Sequence, residues 1–177
     1  MSKKATPEEL KALKDYAWNN FDSVNALLRM GTADSSIKSK QARIKSLIDK
    51  CKPLSEDAKC YRGVGGKALG LSENRVNGVR SQIGKTILDE GFSSYSTSYG
   101  MAQTFARSHT KRGSEEFAVV IETTFPKGKK LVPTSSNGYG AVGEREIIPK
   151  SGQKLKVTSY DVNTDRRVIL LKTEPLN

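Results

Sequence analysis

The hydrophobic pattern changes character near residue 58, and this change limits the folds open to the chain. Residues 6–29 begin with Thr-Pro-Glu-Glu and then repeat apolar residues three or four positions apart, which predicts one or two amphipathic helices. The stretch from Ile37 to Ile48 keeps that spacing and predicts a further helix, ended by Pro53. From Cys60 onward, short β-prone runs are separated by Gly, Pro, Asn and Ser.

These runs are CYRGV, FAVVIETTF, KLVPT, EREIIP, KLKVTSYDV and RRVILLK. Between the first two, SYGMAQTFARSH places four apolar residues on one helical face, and Thr97 or Ser98 can cap that helix: Met101, Ala102, Phe105, Ala106. Because helices come first and strands later, without regular alternation, we expect an α+β fold with a mostly antiparallel sheet.

The length of 177 residues and the hydrophobic content of 36% fit a single domain, with a helical part at 1–55 and a β-rich core at 58–177. The sequence has no apolar run of about 18 residues, and its start, MSKKATPEEL, lacks the apolar stretch of a secretory signal. We therefore expect a cytoplasmic monomer without membrane contact.

The formal net charge of +11 favours encounters with nucleic acid, acidic proteins or anionic cofactors. The basic residues are scattered, however, and no array of basic and aromatic residues for reading bases is apparent. A solvated basic surface is the simpler interpretation.

Histidine and cysteine are too few for the usual metal or nucleophile sites. His109 is the single histidine, and Cys51 and Cys60 are the two cysteines, so no four-ligand zinc pattern can be assembled. A Ser-His-Asp triad would rest on His109, which stands beside Thr110 and Lys111 in a stretch expected to be exposed. We expect no bound metal and two free thiols. The glycines of RGVGGKALG lack the spacing of a phosphate-binding loop or of the dinucleotide fingerprint, so they indicate a turn.

Polar residues instead collect at the edges of the expected strands. They are Arg62 in YRGVGG, the serines of GFSSYSTS, and the acids of GEREIIP. Residues i and i+2 of a strand share a face, so Glu144 and Glu146 would lie side by side and raise each other's proton affinity. From the acid pair alone, an edge strand kept soluble by alternating charge is the simpler interpretation.

Taken in this order, these motifs resemble the mono-ADP-ribosyltransferases of the arginine–serine–glutamate class, which include the enzymatic components of clostridial binary toxins and phage-encoded transferases. LKDYAWNNFDSVNALLR is similar to the N-terminal helix pattern of that family, and FAVVIETTFPKGKK to the strand and turn between its serine and glutamate motifs. The resemblance extends from Leu10 to Val157. It implies N-terminal helices packed on a two-sheet, mostly antiparallel β core.

The resemblance also implies the substrate and the roles of four residues. The substrate is NAD, and Glu146 stabilises the positive charge that develops on its ribose. Glu144 orients an acceptor arginine, Arg62 anchors the diphosphate, and Ser94 positions Glu146. A role in binding NAD is further implied for Gly63, Ser96, Phe105, Asn25 and Arg29, and Tyr139 resembles the aromatic residue of a substrate loop.

The serine motif can be aligned in two ways. The string Ser96-Thr97-Ser98 spells the Ser-Thr-Ser of the family, whereas the spacing from Phe92 and from Ala102 favours Ser94-Tyr95-Ser96. We take the second alignment, in which either serine of the pair Ser94 and Ser96 is a candidate for the working residue. A core position for Phe105 and an exposed helix face for Asn25 and Arg29 are the structural alternatives.

The implied activity is transfer of ADP-ribose from NAD to an arginine of a host or target-cell protein, with release of nicotinamide. The acceptor protein could itself be acidic or associated with nucleic acid, and we expect a phage-encoded or injected enzyme. An NAD glycohydrolase is the alternative within the same chemistry, and a non-catalytic basic module that binds nucleic acid is the alternative from another class.

Overall fold

The computed structural model describes residues 4–17, 21–111, 113–134 and 145–176. Within them the helices are α1 (Pro7–Asp15), α2 (Phe21–Met30), α3 (Ser35–Lys50), α4 (Val76–Arg80) and α5 (Tyr99–Ser108). The strands are β1 (Ala58–Val64), β2 (Thr86–Asp89), β3 (Tyr95–Ser96), β4 (Ala118–Phe125), β5 (Val132–Pro133), β6 (Glu146–Ile148), β7 (Gln153–Asn163) and β8 (Val168–Leu176). The α+β class is confirmed. No helix in this part of the chain is long and apolar enough to cross a membrane.

Local sequence signals set the starts of three helices. The Thr6 side chain accepts a hydrogen bond from the Glu9 N–H, and the Glu9 carboxylate accepts one from the Thr6 N–H, so α1 begins with a reciprocal capping box. Asp34 caps α3 and Ser98 caps α5 in the same sense, each through its side-chain oxygen. Ser98 is thus one of the two caps that the sequence predicted.

The first of two compact units comprises Met1–Asp57, Asp89–Ser94 and Pro126–Gln153. In it, β5 pairs antiparallel with β6, and the unit has one apolar core drawn from all three segments: Ala12, Leu13, Tyr16, Val24, Ile44, Leu47, Ile48, Phe92, Val132, Ile148. The predicted boundary near residue 55 therefore marks the end of the helical segment but not of the unit. The apolar faces of the helices pack with Phe92 and with residues of the β5–β6 pair.

The second unit comprises Ala58–Leu88, Tyr95–Phe125 and Lys154–Asn177. Its strands follow the order β2–β7–β8–β4–β1–β3, and the β4–β8 pair is parallel while β1–β3, β1–β4 and β7–β8 are antiparallel. Helix α5 packs Ala102 and Ala106 against Ala118, Val120 and Val168. The mostly antiparallel arrangement agrees with the sequence prediction.

Candidate active site

Glu146 is the first residue of β6, and its carboxylate is held by a threonine. Thr134 Oγ1 donates to Glu146 Oε2 at 2.6 Å, and the Thr134 N–H donates to the Glu146 carbonyl at 3.1 Å. Glu146 is partly buried, whereas Thr134 is fully buried. Sequence reasoning missed Thr134. The available signal was its place at the end of KLVPT, the run that precedes the acid motif.

The backbone at Arg145 differs from the extended strand that was expected to join Glu144 and Glu146. This residue has φ of +48°, in the left-handed region, and the strand begins only at the next residue. The alternation that would put Glu144 and Glu146 on one strand face requires extended backbone between them, so that argument does not hold here. Glu144 itself and Tyr139 lie outside the described residues.

Asn25 on α2 is buried, with 5% of its surface exposed, and it binds the main chain of Phe92. Its Nδ2 donates to the Phe92 carbonyl at 3.0 Å and to the Tyr16 hydroxyl at 2.8 Å, while its Oδ1 accepts from the Phe92 N–H at 2.7 Å. A Cβ on Gly91 would lie 2.6 Å from Asn25 Oδ1, so this approach requires glycine. Asn25 is therefore part of a buried network rather than of an exposed helix face.

Arg29 forms a bidentate ion pair with Asp89, with Nε–Oδ1 and Nη2–Oδ2 distances of 2.9 and 3.0 Å. Asp89 also accepts hydrogen bonds from Ser93 Oγ at 2.7 Å and from the Gly91 N–H at 3.1 Å. Asn25 and Arg29 thus fix two points of the segment Asp89–Ser94, which ends at the partly buried Ser94.

In the second unit, Arg62 lies on β1 opposite Ile121 of β4. Its guanidinium carbon is 6.0 Å from the centroid of the Tyr95 ring, at the outer limit of a cation–π contact. Arg62 thus combines a fixed strand position with a permanently charged fork donor.

Ser96 is buried on β3, where it pairs with Tyr61 of β1. Its hydroxyl accepts from the Ser98 N–H at 3.0 Å, and the Ser98 hydroxyl accepts from the Met101 N–H at 3.4 Å. Ser98 therefore serves the start of α5.

Gly63 and Phe105 show how β1 and α5 pack. A Cβ on Gly63 would lie 2.3 Å from the Ala102 carbonyl oxygen and from the Ala106 nitrogen, so close helix packing requires glycine there. Phe105 is 48% exposed, while Ala102 and Ala106 face the core. The core position considered for Phe105 is wrong, because the alanines at i and i+4 define the buried face and Phe105 falls beside it.

The single histidine and the two cysteines show no sign of a catalytic or metal site among the described residues. His109 is exposed at the C-terminal end of α5. Both cysteines are free, and burial raises the pKa of the Cys60 thiol to about 11, which suppresses its nucleophilic thiolate form. In the part of the chain that the structure describes, no group of three His, Cys, Asp or Glu residues is placed to hold a metal ion.

Residues 1–176 match the family model of the ADP-ribosyltransferase exoenzymes. The chain belongs to this family. It is therefore an NAD-dependent ADP-ribosyltransferase, as the sequence motifs implied. No curated protein sequence gives a significant match.

Solved structures share the fold at low sequence identity. Plx2a, an ADP-ribosyltransferase toxin from Paenibacillus larvae, is 22% identical with a TM-score of 0.75, over 97% of this chain and 87% of that one. C3stau2 from S. aureus, solved with NAD, is 17% identical with a TM-score of 0.77, over 99% and 90%. Exoenzyme S from Pseudomonas aeruginosa, solved with human 14-3-3 protein beta and carba-NAD, is 19% identical with a TM-score of 0.68, over 96% and 74%.

Proposed function

We propose that this enzyme transfers ADP-ribose from NAD to an arginine side chain of a target-cell protein. The observation that carries the proposal is Glu146, a partly buried carboxylate anchored at the start of β6 and preceded by Glu144 in a Glu-Arg-Glu motif. Because the chain belongs to a family of ADP-ribosyltransferases, the reaction in which this carboxylate would act is the transfer of ADP-ribose.

The chemistry needs one carboxylate for the sugar and one for the acceptor. As the bond between nicotinamide and ribose breaks, its electron pair leaves with nicotinamide and positive charge develops on the ribose, where Glu146 stabilises it. A guanidinium nitrogen then forms a bond to the anomeric carbon and loses its proton to Glu144. A carboxylate also pairs with guanidinium in bidentate geometry, which suits Glu144 to orienting an arginine.

We assign the binding of NAD to the residues that the family resemblance indicates. Arg62 supplies a fork donor for the diphosphate, Gly63 presents its main chain to the nicotinamide amide, and the exposed ring of Phe105 offers an apolar surface to nicotinamide. Ser94 and Ser96 are the serine candidates. Asn25 and Arg29 were expected at the cofactor, and their contacts support a role through the segment Asp89–Ser94.

The net charge of +11 bears on the target protein rather than on the chemistry. A basic surface accelerates encounters with acidic partners and makes them sensitive to salt. We therefore propose an acceptor protein whose arginine lies near an acidic surface.

Glu144→Gln tests the arginine assignment. Nicotinamide release and protein-bound ADP-ribose are measured in the same tube, with a target-cell lysate as the source of acceptor. We expect the variant to keep cleavage of NAD by water and to lose labelling, because water needs no carboxylate to orient a guanidinium.

The matched control is Glu174→Gln, which alters an exposed glutamate on β8 and should leave both products unchanged. Parallel loss of both products in a folded Glu144→Gln protein would contradict the acceptor role. Free ADP-ribose from the wild type, without any labelled protein, would identify an NAD glycohydrolase instead.

A further inference from the structure

Thr134 faces Glu146 across the β5–β6 pair. Val132 pairs with Ile148 and Pro133 with Ile147, so the antiparallel register brings Thr134 opposite Glu146. The Thr134 N–H donates to the Glu146 carbonyl at 3.1 Å, which continues the pairing by one residue beyond the strand. The backbone pairing therefore fixes the positions from which the two side chains contact each other.

The hydroxyl of Thr134 is committed to the Glu146 carboxylate. The Oγ1–Oε2 distance of 2.6 Å is that of a charge-assisted O–H to carboxylate hydrogen bond. Thr134 is 0% exposed, so water does not compete for the hydroxyl, and a β-branched side chain has few rotamers to choose from. The buried hydroxyl thus restrains a carboxylate that is itself only partly buried.

We propose that Thr134 is a positioning residue for Glu146. It holds Oε2 and so fixes the rotamer that presents Oε1 to the ribose of NAD, without contacting NAD itself. The inference rests on the proposed role of Glu146. An ordinary structural role, in which the hydrogen bond only satisfies a buried hydroxyl, predicts a change in stability without a selective change in kcat.

Thr134→Val removes the hydroxyl and keeps the shape, and Thr134→Ser keeps the hydroxyl. For Thr134→Val we expect kcat for nicotinamide release to fall about 10- to 100-fold, with KM for NAD nearly unchanged, because a displaced carboxylate disturbs the reacting geometry more than binding. Thr134→Ser should restore most of the activity. Thr134→Ala serves as the second hydroxyl-free variant if the valine protein does not fold.

A double variant separates this inference from the proposed function. In single turnovers with excess enzyme, Thr134→Val should cost nothing further in a Glu146→Gln background, because its effect passes through the carboxylate. The positioning role would be overturned if folded Thr134→Val kept the wild-type kcat. It would also be overturned if Thr134→Val lowered the single-turnover rate by the same factor in the wild-type and Glu146→Gln backgrounds. Full turnover by Glu146→Gln alone would instead overturn the proposed role of Glu146.

Discussion

Two carboxylates of the first unit have opposite surroundings. Glu9 is 5% exposed and accepts hydrogen bonds from Thr6 N, Ser46 Oγ and Lys50 Nζ at 2.7–2.8 Å. Glu146 is partly buried, and within the described residues its carboxylate accepts from Thr134 alone. Glu9 is saturated with protein donors, whereas among the described residues a single side-chain donor meets the Glu146 carboxylate.

The partners of Glu9 also explain its ionisation. Burial raises the pKa of Glu9, but the hydrogen bonds from Lys50, Ser46 and the Thr6 main chain outweigh burial and lower the pKa to about 2. The bonds from Ser46 and Lys50 join α1 to α3, so the charge of Glu9 serves the fold. The comparison teaches that the number of protein donors around a carboxylate separates a structural acid from one available for chemistry.

Replacing Glu146 should give the largest effect on activity. Glu146→Gln removes the charge that we propose stabilises the ribose, and we expect NAD cleavage to fall about 100-fold or more. The unfolding midpoint should stay near the wild-type value, since the amide oxygen still accepts from Thr134. Near-normal turnover in a folded variant would contradict the catalytic role proposed for Glu146.

Replacing Glu9 should affect stability instead. Glu9→Gln leaves the Lys50 ammonium without its counter-charge, and we expect the free energy of unfolding in urea to drop by about 2–3 kcal/mol. Turnover per folded molecule should not change. Glu8→Gln is the matched control, because Glu8 is exposed in the same helical turn and should cost much less. Equal losses for the two variants would show that Glu9 is not a structural acid.

The stabilisation by Glu9 should also appear in the pH dependence of the free energy of unfolding. The folded pKa of Glu9 is about 2 against an ordinary value of 4.5, so its stabilisation is fully present above pH 4.5 and is lost as the pH falls toward 2. Between these limits, wild type should lose more unfolding free energy than Glu9→Gln. Identical pH profiles for the two proteins would argue against a depressed pKa.

Arg62→Lys extends the test to the second unit. Lysine keeps the charge but not the fork of donors, so we expect the Kd for NAD to rise about 10-fold while the fold is retained. Titration calorimetry gives the Kd directly. Equal affinity for both proteins would assign Arg62 to structure, alongside Glu9.

The serine pair should give the smallest and most selective effects. Ser94→Ala should reduce turnover more than Ser96→Ala, because Ser96 already accepts the Ser98 N–H and pairs with Tyr61 of β1. Ser96→Ala should instead lower the melting temperature. The reverse ranking in activity would favour the Ser96-Thr97-Ser98 alignment.

Four helices and six β-prone runs were predictable from the sequence, and three short elements were not. Helices α1, α2, α3 and α5 and the six β-prone runs were expected, whereas α4, β2 and a 3-10 turn at Gly66–Leu69 were not. These three elements are four or five residues long, too short for a hydrophobic period to show, and none of them lies in one of the β-prone runs. Their structure depends on neighbours that are distant in sequence.

The candidate site also has features that the sequence predicted and features that it did not. The Arg, serine and glutamate motifs named its residues, but the place of Thr134 at the end of KLVPT did not by itself indicate a contact that arises from pairing across twelve positions. The left-handed Arg145 was equally hidden, because a non-glycine residue gives no signal of positive φ. For Asn25, the family resemblance implied a helix residue facing the cofactor, and only packing shows that its amide binds the Phe92 main chain.

The proposed transfer to arginine is tested most directly by locating the product. Purified enzyme, NAD and target-cell lysate are incubated, and labelled peptides are fragmented in a mass spectrometer to identify the residue that carries ADP-ribose. The account predicts ADP-ribose on arginine in the wild-type reaction and its absence with Glu146→Gln. ADP-ribose attached to a different residue type would contradict the arginine assignment, and nicotinamide release without any modified peptide would contradict the transferase itself.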